Sequence, residues 1–129
     1  MVNIILVTHL EIANGFASCL EHILSKRVDN LHIVPVRKTE ATESIINKVK
    51  DFINEVSQKG AVLILVDIFG ATPSNIASGL VKKGKVELIT GLNLPMLLRA
   101  ISHSNEPLAV CANKALEGAQ NGIIHIDGN

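Results

Sequence analysis

Four short runs of mostly branched apolar residues, at 2–7, 31–36, 61–66 and 86–90, are separated by segments of helical period. Each run is too short for a core helix and is apolar at consecutive positions, so it reads as a strand buried on both faces. In the second run Pro35 suits an edge strand. After the first run Phe16, Leu20, Ile23 and Leu24 recur at helical spacing. After the second, Ile45, Ile46, Val49, Phe52, Ile53 and Val56 make an amphipathic stripe. Thr72-Pro73 looks like an N-cap and a first-turn proline, opening a helix to about Lys83. Leu94-Pro95 opens another through about Ser102, and a last one runs from Pro107 to about Gln120 with Gly122 ending it. The tail Ile123-Ile124-His125-Ile126 reads as a short fifth strand.

Strands alternating with helices predict an α/β fold with right-handed crossovers, a mostly parallel, doubly wound sheet and helices on both faces. A length of 129 residues suits one domain over 1–129. In such a sheet chemistry collects at the carboxyl ends of strands, beside the point where strand order reverses. Those ends carry Thr8-His9, Arg37-Lys38, Asp67 and Gly91-Leu92-Asn93.

Composition narrows the function classes. Basic and acidic residues number 12 each with no block of one sign, which argues against a polybasic nucleic-acid or membrane module. Three phenylalanines are the only aromatics, so bases or sugars have no stacking platform. The apolar run at 61–66 is far too short to span a bilayer, and Met1-Val2-Asn3 lacks the basic start of a signal peptide. Cys19 and Cys111 form no C-x-x-C pair, so the expected setting is a reducing cytoplasm.

His9 alone, at a strand end, is an ordinary capping or loop residue. An aspartate at another strand end changes its meaning, because a carboxylate on one ring nitrogen fixes the tautomer and leaves the other nitrogen as a nucleophile. Asp67 would face His9 if the first and third strands are neighbours. Asp67-Ile68-Phe69-Gly70-Ala71-Thr72-Pro73-Ser74-Asn75 joins a strand end, a Gly-Ala turn and a helix start, where unpaired N–H groups and the Thr72 and Ser74 hydroxyls suit an anion. Neither a P-loop nor a dinucleotide fingerprint is present. Gly91-Leu92-Asn93-Leu94-Pro95-Met96 reads as a tight turn with Asn93 bonded to backbone, and Met96 as core. Cys19 and His22 share a helix face but have no further ligands nearby, so no metal is expected. His32, His103 and His125 read as satisfied or surface histidines.

These three motifs together resemble the enzyme IIA component of the mannose family of the bacterial phosphoenolpyruvate-dependent phosphotransferase system, over essentially the whole chain. The resemblance rests on Thr8-His9, on Leu65 through Asn75, and on Gly91 through Leu97. It implies that His9 takes a phosphoryl group from the phosphohistidine of HPr and passes it to a histidine or cysteine of a IIB partner in sugar uptake. Asp67 would bond to the imidazole nitrogen that is not phosphorylated. Gly70, Ala71, Thr72 and Ser74 would lie near the phosphoryl oxygens, with no cofactor. The implied fold has four parallel strands and one antiparallel C-terminal strand exchanged in a homodimer. The implied protein touches the membrane only through a permease complex.

Gly70-Ala71 departs from the two glycines of many relatives, and no IIB domain follows before Asn129, so the acceptor is expected to be a separate protein. Competing expectations are a permease-independent regulatory protein switched at His9 and a dihydroxyacetone-kinase-type phosphotransfer subunit. In the regulatory case Leu92, Pro95 and Met96 would be contact residues. A plain anion-binding domain that transfers nothing is the third.

Overall fold

The computed structural model describes residues 1–37, 39–68 and 72–128. β1 (Asn3–His9), β2 (Leu31–Val36), β3 (Val62–Val66) and β4 (Val86–Thr90) form one parallel sheet in the order β2-β1-β3-β4. The two central strands, β1 and β3, are buried almost throughout, which is why they read as continuous apolar runs. Successive residues face opposite layers. Ile4, Leu6, Leu63 and Leu65 pack on α1 (Ile12–Leu24), α4 (Leu94–Ser102) and α5 (Leu108–Asn121). Ile5, Val7, Ile64 and Val66 pack on α2 (Thr42–Val56) and α3 (Thr72–Ser78). Each such side chain contributes about 1.5–3 kcal/mol relative to exposure, so a one-residue slip of either central strand is prohibitive.

Pro35 lies in the edge strand β2, as its residue type requires. Val36 O accepts from Leu10 N, and Asn30 O accepts from Ile4 N, so the even-numbered residues of β2 face β1 and the missing N–H of Pro35 points away.

One expectation changes. α3 ends at Ser78 and not near Lys83. Leu80 N and Val81 N donate to Ala77 O and Ser78 O, which tightens the chain, and Lys82 N is then taken by Val86 O. Gly79 weakens the helix at this point. The tail after Gly122 makes no strand pairing among the described residues, and Ile123, Ile124 and Ile126 are 77%, 74% and 85% exposed. A strand needs a neighbour for its ladder, and among the described residues the tail is paired with none. Among the described residues no helix is long and apolar enough to cross a membrane.

His32, on β2, is neither satisfied nor on the surface. Its ring stacks at 5.3 Å on Phe52 of α2, and its Nε2 is buried with no hydrogen-bond partner among the described residues. Burial lowers its pKa below the ordinary 6.5; Lys59 acts in the same direction and Glu55 against it. The unfolded chain therefore binds the proton first as pH falls, so the stability this group supports is present above about pH 6.5 and lost below it. In urea unfolding between pH 7.5 and 5.5, His32→Phe should lose less stability on acidification than the wild type. Parallel pH profiles would contradict the assignment.

Candidate functional site

β1 and β3 lie side by side at the centre of the sheet, with Val7 paired to Val66 as the last registered pair. The next residues along each strand are therefore brought together at the carboxyl edge, although His9 and Asp67 are 58 positions apart in sequence. Asp67 Oδ2 accepts from the His9 backbone N–H at 3.0 Å and lies 2.8 Å from His9 Nδ1. Asp67 Oδ1 accepts from Ile68 N at 3.0 Å. The carboxylate side chain is 11% exposed and the imidazole 43%. A carboxylate only accepts, so Nδ1 carries the proton and Nε2 keeps its lone pair.

The local chain is shaped to hold that ring. Thr8 is fully buried and its Oγ1 accepts from Ala13 N at 2.9 Å, satisfying an orphan N–H of the first turn of α1. Glu11, at the N-cap position, makes no such bond. Leu10 takes φ +44°, a left-handed conformation that costs a non-glycine residue about 1 kcal/mol or more. This turn sends β1 into α1 within two residues and leaves His9 at the edge.

A cleft of about 460 Å³ opens beside the imidazole, lined by His9, Leu10, Val36, Arg37, Glu40, Thr42, Ile45 and Thr72. Arg37 Nη2 pairs with Glu11 Oε1 at 2.5 Å, and Glu11 Oε2 accepts from Asn14 Nδ2 at 2.6 Å. Asn14 first and Arg37 second hold the exposed Glu11 carboxyl below the ordinary carboxylate range. Glu40 pairs with Lys48 at 2.9 Å. Leu10, Ile12 and Ile68, apolar residues just past His9 and Asp67 in the chain, are 53%, 43% and 55% exposed; Leu10 lines the cleft, and Ile12 lines a separate groove with Phe16, Cys19 and Leu94.

The other sequence candidates separate. Thr72 lines the cleft with His9, whereas Gly70 and Ala71 lie outside the described residues. Ser74 is 1% exposed, and its hydroxyl is buried without a partner among the described residues, so it does not face the cleft. Asn93 caps α4 by accepting from Met96 N at 2.9 Å, as a turn residue should, and its amide reaches Ala119 O. Leu92 and Met96 are core residues of the α1–α4–α5 layer, and Pro95 is half-buried against α5. The expected contact surface of Leu92, Pro95 and Met96 is thus mostly interior, because the cap turns the start of α4 inward. Sequence reading missed the exposure of Leu10, Ile12 and Ile68 and the Arg37–Glu11 pair. The available signal was position: all five residues sit at or just past the carboxyl ends of β1, β2 and β3.

Comparison with known proteins gives the family and the fold. A family model described as the PTS system fructose IIA component matches residues 3–116. The sorbose-specific EIIA component of the phosphotransferase system of Lacticaseibacillus casei is 33% identical over 105 residues, covering 81% of this chain and 75% of that protein. The fructose-specific EIIA component of Bacillus subtilis is 35% identical over 75 residues, covering 57% of this chain and 51% of that one. A crystal structure of a phosphotransferase-system EIIA component from Streptococcus agalactiae superposes with a TM-score of 0.87 over 97% of each chain. Its 23% identity makes that a likeness of fold.

Proposed function

This chain belongs to the EIIA-man family of phosphotransferase-system components, and from that premise we propose that it is a phosphocarrier charged on Nε2 of His9. The donor is phospho-HPr and the acceptor a IIB protein, in the service of sugar uptake. The observation that carries the reading is the double engagement of Asp67 Oδ2 by the backbone and the ring of His9. A carboxylate so placed makes one nitrogen a fixed donor and the other a ready nucleophile.

In the transfer, the Nε2 lone pair forms a bond to phosphorus as the donor's N–P bond breaks and its electron pair returns to the donor imidazole. No proton need leave Nε2, since it carries none. The ring becomes imidazolium-like, and the Asp67 carboxylate at Nδ1 stabilises that charge. Thr72 lines the cleft in which the phosphoryl oxygens would sit. Passage to the acceptor reverses the same events. Both partners dock over the exposed apolar residues that follow His9 and Asp67, among them Leu10 and Ile68, which would exclude water during transfer.

The test is incubation with phosphoenolpyruvate, enzyme I and HPr. One acid-labile, base-stable phosphoryl group per chain is expected, and absence of label with a cognate HPr would remove the carrier reading.

A homodimer fits the same reading. The exposed Ile123, Ile124 and Ile126 and the outer edge of β4, bridged among the described residues at Val86 by Lys82, are complementary needs, one for a ladder partner and the other for a strand. Light scattering should give twice the chain mass, and Ile124→Asp with Ile126→Asp should shift it toward the monomer. A wild-type monomer at micromolar concentration would contradict it.

A further inference from the structure

We propose that Arg37 is the phosphoryl-contacting cation of this site, held in waiting by Glu11. The inference rests on the carrier reading and adds a residue to it. Val36 pairs with His9 across β1 and β2, and its carbonyl accepts from Leu10 N at 3.0 Å, so Arg37 is the first residue past the strand beside the nucleophile. Its carbonyl accepts from Glu40 N, which closes a turn around it. Among the described residues lining the cleft it is the one cation.

Charge makes a cation necessary here. A phosphoryl dianion on Nε2 would share its surroundings with Asp67, already bonded to the ring, and with Glu40, already committed to Lys48. Neither carboxylate can stabilise it, and both repel it. The guanidinium of Arg37 is 46% exposed and its partner Glu11 is 61% exposed, so their pair is solvent-screened and readily exchanged. A dianionic phosphoryl group with a bidentate face competes well for a guanidinium against a single exposed carboxylate. Glu11 thus holds Arg37 near the site while the site is empty. On phosphorylation Arg37 moves from Glu11 to the phosphoryl oxygens, and the loop after β1 loses its tie to the loop after β2.

The test separates contact with phosphate from docking of the donor. The equilibrium constant for phosphoryl exchange between HPr and this protein depends on the free species only, whereas the rate also depends on docking. Arg37→Gln should lower that constant by about tenfold, as expected for one lost charge-assisted contact, and Arg37→Lys should restore part of it. In a second measurement phosphoramidate charges His9 without any protein donor; its P–N bond breaks, ammonia leaves with the bonding pair, and Nε2 bonds to phosphorus. The phosphoryl pKa read by ³¹P NMR should rise by about one unit in Arg37→Gln. An unchanged equilibrium or an unchanged titration overturns the proposal, and a change in rate alone makes Arg37 a docking residue, which overturns it too. Failure of the wild type to accept from HPr strikes the carrier reading instead, and the phosphoramidate arm still decides the role of Arg37.

Discussion

His9→Ala should abolish labelling by phospho-HPr, a fall of about 10³-fold or more, as for any site that loses its only nucleophile. The fold should survive. The imidazole is 43% exposed, and the backbone N–H at position 9 still donates to Asp67 in the variant. The loss would then be chemical, which unchanged thermal unfolding and circular dichroism would verify. The most informative competitor is His103, whose Nδ1 lies 2.7 Å from Glu106 Oε2 and repeats the histidine–carboxylate pairing. It stands at the opposite end of the sheet, where the neighbouring Ser104 O accepts from Val2 N at the start of β1, and it lines none of the cleft beside His9. Undiminished labelling of His9→Ala would move the assignment to another histidine, and His103→Ala would then be the next variant.

Asp67→Asn should reduce the labelling rate by up to about 10⁴-fold, the fall known for a triad aspartate that fixes a catalytic tautomer and is replaced by its amide. The amide has nearly the shape of the carboxylate but brings two N–H donors. With its NH₂ toward Nδ1, the ring must accept there, which moves the ring proton to Nε2 and removes the attacking lone pair. With its oxygen toward Nδ1, the tautomer survives but the charge that stabilises the imidazolium-like product is gone. Either orientation harms transfer relative to the wild type. Nitrogen-15 shifts of the imidazole would report the tautomer directly. Wild-type transfer in Asp67→Asn would mean that the carboxylate only ties His9 and Ile68 in place.

The strands and most helices were legible because their signals are local. A branched apolar run has few ways to be buried, and a stripe such as Ile45, Val49 and Val56 can face a core only as a helix. The start of α4 was equally readable, since Asn93 and Pro95 act on neighbouring backbone. The end of α3 was not, because the competing bond from Lys82 N goes to Val86 in the next element. Arg37 stood among the strand ends and Glu11 carried no signal of its own; only the pairing of β1 with β2 brings them together. Met96 read as core, with a contact role for it and Leu92 only in the regulatory case, and the turn capped by Asn93 indeed folds both into the core.

By itself the sequence determined that a histidine and an aspartate each end a buried strand, because hydrophobic periodicity marks where strands stop. Only the tertiary structure decided that those two ends meet, that Nδ1 is the engaged nitrogen and that Arg37 lines the same cleft. The reason is that strand order is set by non-local hydrogen bonds and packing, which no stretch of the chain encodes alone. Asp67 comes within 2.8 Å of His9 because the connection through α2 carries the chain past β1 and lays β3 beside it.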